Sequence, residues 1–150
     1  MEGNDVGQPY TAEQEKTSYS VTVYAAAPGT PMLKNGRPVG TSVAGHMFYS
    51  ISDGAKINGY GFSPVQDGDS SGPGKVTRDE QDAYVDPFYK RTMEISKDQY
   101  EALRQFGEQG VRGIDNGFSM QYGGLKNSCI DFTWAALNQA GLHSKSSTRV

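Results

Sequence analysis

The sequence predicts an α+β domain in which a small antiparallel sheet packs against a helix carrying the chain's single cysteine. Three observations predict it. Residues 19–24, 44–51 and 57–62 alternate in side-chain character and are rich in β-branched and aromatic residues, the pattern of half-buried strands. The last two are separated by Ser52-Asp53-Gly54-Ala55, a hairpin turn signal that makes them antiparallel neighbours. Two later segments, starting near Ser96 and Ser128, open with N-cap chemistry and continue at helical spacing.

Composition bounds the rest. With 150 residues the chain makes one domain with a real core. Hydrophobic residues are only 35%, and 19 glycines imply many loops. Seventeen acidic against fourteen basic residues leave a net charge of −3, with no basic cluster, so nucleic acid is not an expected partner. No apolar run approaches the ~20 residues of a membrane span, so no span is expected. No charged-then-apolar leader opens the chain, which predicts synthesis in the cytoplasm without a Sec signal. One cysteine makes no internal disulfide and no Cys-rich zinc site. Neither a cofactor nor a metal is expected.

In chain order, residues 1–17 are polar and read as a flexible arm, 18–143 as the domain and 144–150 as a polar tail. Pro28-Gly29-Thr30-Pro31 and Lys34-Asn35-Gly36-Arg37-Pro38 are turns. On the second strand His46, Phe48 and Ser50 share one face, and Met47, Tyr49 and Ile51 the other. Pro64 limits the third strand. Residues 66–87, built from Asp, Gly, Ser and Pro, read as one long loop. Asp67-Gly68-Asp69 within it matches a calcium loop poorly and reads as a solvated turn. Residues 91–95 read as a further strand. Ser96 to Gln99 is a capping box opening a helix that buries Tyr100, Leu103 and Phe106 and ends near Gly107 or Gly110. Residues 110–126 read as irregular.

The last helix carries the chemistry. Asn127 or Ser128 is its N-cap, Cys129 lies in its first turn and Gly141 stops it. A thiol there feels the positive end of the helix macrodipole, which favours the nucleophilic thiolate. Asp131 falls at the N3 position and reads as a capping group. Ile130, Trp134 and Leu137 form an apolar stripe expected to face the core. Cys129, Thr133, Ala136 and Ala140 form a stripe of small residues that lets the helix lie close to the sheet. A catalytic thiol needs an imidazole. His143 lies fourteen residues beyond Cys129 across the same helix, about 20 Å away at helical rise. His46, on a separate strand, has no such obstacle, and Gly45 beside it leaves room for substrate or close packing. The group expected to orient His46 is Asn58 or Tyr60, from the returning strand, with Ser50 on the His46 face as a weaker orienter. The backbone N–H of Cys129 is the first oxyanion donor, with Tyr60 or Asn127 as the second.

Three blocks in this order, Gly45-His46-Met47-Phe48-Tyr49-Ser50-Ile51, Tyr60-Gly61-Phe62-Ser63-Pro64 and Asn127-Ser128-Cys129-Ile130-Asp131-Phe132, resemble circularly permuted papain-like hydrolases of the NlpC type. In that permuted order the His strand precedes the Cys helix. The resemblance spans residues 19–142 and is similar to antibacterial toxin domains of type VI secretion effectors. It implies a permuted papain-like fold with Cys129 as nucleophile and His46 as base. It also implies an amidase or endopeptidase acting on peptidoglycan peptides in the periplasm of a target bacterium, a cognate immunity protein and a secretion-machinery carrier. The family's third polar residue has no clear counterpart here. Two other readings start from the same residues: a lipid acyl hydrolase or transferase or an isopeptidase on the same dyad, and a non-catalytic binding module with a buried Cys129.

Overall fold

The computed structural model describes residues 18–27, 31–34, 37–41, 45–66, 71–82, 89–114, 116–123 and 127–142. The elements are β1 (Tyr19–Ala26), β2 (Pro31–Lys34), β3 (Arg37–Thr41), β4 (His46–Ser52), β5 (Ile57–Pro64), β6 (Ser71–Arg78), a 3-10 turn (Glu80–Asp82), β7 (Tyr89–Ile95), α1 (Lys97–Val111), β8 (Gln121–Gly123) and α2 (Cys129–Gln139). Six strands form one sheet in the order β7-β1-β4-β5-β6-β8, every neighbouring pair antiparallel, while β2 and β3 form a separate hairpin. The expected α+β class, with an antiparallel sheet and the Cys129 helix packed on it, is what the chain adopts. The arm at 1–17, the tail at 144–150, the turn at 28–30, Asp67-Gly68-Asp69 and His143 lie outside the described residues.

Local chemistry fixes the register of the β4–β5 hairpin. The Asp53 carboxylate accepts the Ala55 and Lys56 N–H groups at 2.9 and 2.8 Å, and Gly54 supplies a φ of +94°. Tyr49 then lies opposite Tyr60, and Ile51 opposite Asn58. One face of the sheet carries Val21, Val23, Tyr49, Ile51, Tyr60, Phe62 and Val76 into a core shared with Tyr100, Leu103 and Phe106 of α1 and Phe132, Ala136 and Leu137 of α2. Phe132 is central to it, with ring centroids 5.2 Å from Phe106, 5.3 Å from Phe118 and 5.9 Å from Phe62. On the opposite face Tyr24 stacks on Phe48 at 4.6 Å, and its hydroxyl bonds Ser50 at 3.0 Å.

Three sequence expectations are corrected here. The long loop at 66–87 contains a full strand, β6, whose Gly74 packs directly under the Phe62 ring. The helix after Ser96 does not end at Gly107 or Gly110 but runs through both to Val111. Those glycines are points of close approach, to the Tyr60 ring and to Val76 respectively. The irregular 110–126 segment also contributes β8, which pairs with β6.

Glu108, on the exposed side of Gly107, ties α1 to two strands. Its carboxylate accepts the Tyr60 hydroxyl at 2.7 Å and both Arg78 nitrogens, at 3.1 and 2.6 Å. The Arg78 guanidinium is the main cause that holds the Glu108 carboxyl at about 2. Partial burial opposes it, and the Tyr60 hydroxyl adds to the lowering. A carboxyl with a folded pKa below its unfolded value stabilises the fold above the unfolded value, and loses that contribution as pH falls through the folded one. Stability is therefore expected to decline as pH falls from about 4.5 to about 2, modestly because the pair is open to solvent. Urea titrations of wild type and Glu108→Gln across that window check this. The variant should decline less, the Asp53 carboxyl being lowered as well, and an equal decline in both would overturn the assignment.

Candidate active site

The start of α2 is built by its own sequence. Ser128 is the N-cap, with extended backbone, and its Oγ accepts the Ile130 N–H at 3.2 Å. The Asp131 carboxylate accepts the Ser128 N–H at 2.8 Å and the Ser128 hydroxyl at 3.1 Å, so Asp131 is a capping group as expected. At the other end Gly141 takes a φ of +75°. Its N–H reaches the Asn138 carbonyl at 3.0 Å, and the Leu142 N–H reaches Leu137 at 2.8 Å, the paired bonds of a Schellman stop. Cys129 is thus the first helical residue, with its N–H among the amides that have no acceptor within the helix.

Neighbouring strands set the rest of the geometry. The β4–β5 ladder runs only from Ser52–Ile57 to Tyr49–Tyr60, while β4 stays paired with β1 as far as His46. Beyond Tyr49 the side of β4 that β5 has left is taken by α2. The Met47 N–H donates to Cys129 Sγ at 3.4 Å, and the Met47 carbonyl accepts the Thr133 hydroxyl at 3.3 Å. Thr133 also bonds the Cys129 carbonyl at 3.0 Å. The small-residue stripe therefore does what its composition suggests. Its Cys and Thr satisfy backbone groups that a longer ladder would have paired.

His46, the residue before Met47, lies close enough to the Cys129 side chain for its hydrogen bonding and charge to act on the thiol, and its ring stacks on Phe48 at 5.5 Å. Gly45 turns the chain into β4 with a φ of +80°, so its need is conformational. Cys129 is buried, with 7% of the residue exposed. Burial is the largest influence on it and pushes its pKa up. The hydrogen bond and charge of His46, with the N–H groups of Met47 and Ile130, together outweigh burial and bring the pKa below that of an ordinary thiol.

The other sequence candidates are elsewhere. Asn58 lies opposite Ile51, on the core face and about 17 Å along the strand direction from the His46 position. Tyr60 is 0% exposed, and its hydroxyl is committed to Glu108. Neither orients His46, and Tyr60 does not reach an oxyanion at Cys129. Asn127 donates both amide hydrogens, to the Ser119 and Gln121 carbonyls, each at 2.8 Å. With both spent, Asn127 is no oxyanion donor; it fastens the approach to α2 instead. Of the donors the sequence offers, the Cys129 N–H is the remaining candidate. The apolar stripe is also corrected: Ile130 and Trp134 are 50% and 44% exposed, and Phe132 takes the core position. Sequence reading missed the role of the Met47 peptide and of Thr133. The one signal for it was a Thr four residues after the Cys, on the same small stripe.

Among the described residues no group of three His, Cys, Asp or Glu side chains is arranged to hold a metal, and no helix is long and apolar enough to cross a membrane. The fold and site together define an α+β protein with a Cys–His pair at a helix N-terminus. No protein-family model, curated protein or solved structure matches the chain.

Proposed function

We propose that this chain is a cysteine hydrolase of permuted papain-like, NlpC-type architecture that cleaves an amide bond in the peptide part of peptidoglycan. The observation that carries the reading is the pairing of Cys129 with His46 at the N-terminus of α2, with the thiol pKa lowered. Cys129 Sγ attacks the amide carbonyl as its proton passes to, or already rests on, His46. The developing oxyanion is met by the Cys129 N–H. His46 returns the proton to the leaving amine, and water, deprotonated by His46, hydrolyses the thioester to the acid and the free thiol. The substrate class, the action in the periplasm of a rival bacterium, an immunity protein in the producer and a type VI carrier are drawn from the sequence resemblance and belong to the same proposal.

Digestion of purified peptidoglycan by wild type and by Cys129→Ala, with mass spectrometry of soluble fragments, tests it. Wild type alone should release fragments, and their masses name the bond. Two folded proteins that both leave the polymer intact would overturn the cell-wall substrate. Equal release by both would overturn the mechanism.

A further inference from the structure

β7 is an edge of the main sheet. Its inner side is paired with β1 along its whole length, Tyr19–Ile95 to Ala25–Tyr89, without a bulge. Among the described residues no strand pairs with its outer side. Natural edges are usually short, bulged or broken by Pro, because a regular unpaired strand offers a row of N–H and C=O groups to another chain. β7 has seven residues, none of them Pro, and its first four are exposed.

Its sequence, Tyr89-Lys90-Arg91-Thr92-Met93-Glu94-Ile95, is complementary to itself when reversed. Two copies laid antiparallel with Thr92 opposite Thr92 place Lys90 of each opposite Glu94 of the other. Tyr89 then falls opposite Ile95, and Arg91 opposite Met93. Directly opposed charges of opposite sign, and aromatic against β-branched side chains, are the pairs that stabilise antiparallel ladders. Any other register loses the reciprocal Lys–Glu match. Within one chain Lys90 and Glu94 are four residues apart on an extended strand, about 13 Å, too far to pair. Neither forms an ion pair with another described residue. The Thr22–Thr92 hydroxyl contact at 2.8 Å would continue across the seam as a threonine ladder. We infer that a second copy of this chain occupies the β7 edge, joining two sheets into one about a two-fold axis at Thr92. This inference is independent of the hydrolase reading.

Sedimentation velocity over a concentration series is the test, with wild type, Lys90→Glu, Glu94→Lys and the double charge swap compared. Wild type should dimerise. Each single variant sets like charges opposite at both symmetry-related pairs, and should weaken the dimer roughly tenfold or more. The double swap should restore it, because only pairing between chains reunites the two charges. Circular dichroism confirms that the variants fold. A wild type that stays monomeric at every concentration would overturn the inference, as when another segment or another protein covers the edge. So would a dimer indifferent to the single variants, or one that the double swap does not restore.

Discussion

Replacing His46 with Asn is expected to move the alkylation of Cys129 by iodoacetamide to higher pH and to slow it at neutral pH. In the wild type burial is the largest single influence on the thiol and raises its pKa, and the imidazole is the chief of the influences that together outweigh it. Without the imidazole burial dominates and favours the neutral thiol, opposed only by the Met47 and Ile130 N–H groups and the helix dipole. The inflection of alkylation rate against pH should therefore rise. Under the proposed mechanism, loss of His46 as general base should also cut hydrolysis by about two to four orders of magnitude. The two readouts separate the causes. A fall in hydrolysis with an unchanged alkylation profile would mean that His46 serves the substrate and not the thiol. An unchanged profile with unchanged hydrolysis would dissolve the dyad.

Gly107→Ala should destabilise the protein although it replaces the poorer helix former with the best one. Intrinsic propensity favours the change by about 1 kcal/mol. A Cβ at that position, however, would lie 2.5 to 2.7 Å from three carbons of the Tyr60 ring. The ring is fully buried and its hydroxyl is held by Glu108, so it has no room to yield. Overpacking of this kind costs about 1–3 kcal/mol and more where the neighbour is pinned. We expect a net loss of about 2 kcal/mol and a fall in Tm of about 5 °C or more. Gly123→Ala is the control, since its Cβ would meet nothing closer than 3.8 Å. Equal melting of the two variants would mean that α1 can lift off the sheet cheaply.

Both expectations bear on what was legible in the amino-acid sequence. Capping chemistry is local, so the starts of both helices, the Gly141 stop and the turn at Asp53 could be read directly. So could the approach of His46 to Cys129, because a helix between Cys129 and His143 excluded the other histidine. Features set by tertiary contact were not legible. β6 carries Ser71-Gly72-Pro73-Gly74, where glycine leaves no alternation to detect, yet Gly74 is what lets the Phe62 ring lie across the strand. Gly107 and Gly110 read as helix breakers, because propensity cannot register the Tyr60 ring or Val76, each roughly 100 Å or more away along an extended chain. Tyr60 and Asn58 were candidates only while the hairpin register was open; once Tyr49 faces Tyr60, both point to the core face. Ile130 and Trp134 read as inward from the helical spacing of an apolar stripe, whereas the first turn of α2 is oriented by the Met47 peptide.

That peptide has a consequence for when the chemistry can exist. Met47 and Cys129 are 82 residues apart in the chain. Closing a loop of that size costs about 4 kcal/mol in chain entropy before any contact made there returns it. The acidified thiol is therefore a product of late, high-contact-order assembly, since no local segment contains both partners. A chain whose sheet has formed but whose α2 is undocked carries an ordinary, sluggish cysteine. Unfolding thus abolishes the acidified thiol, and its return waits on the docking of a single helix.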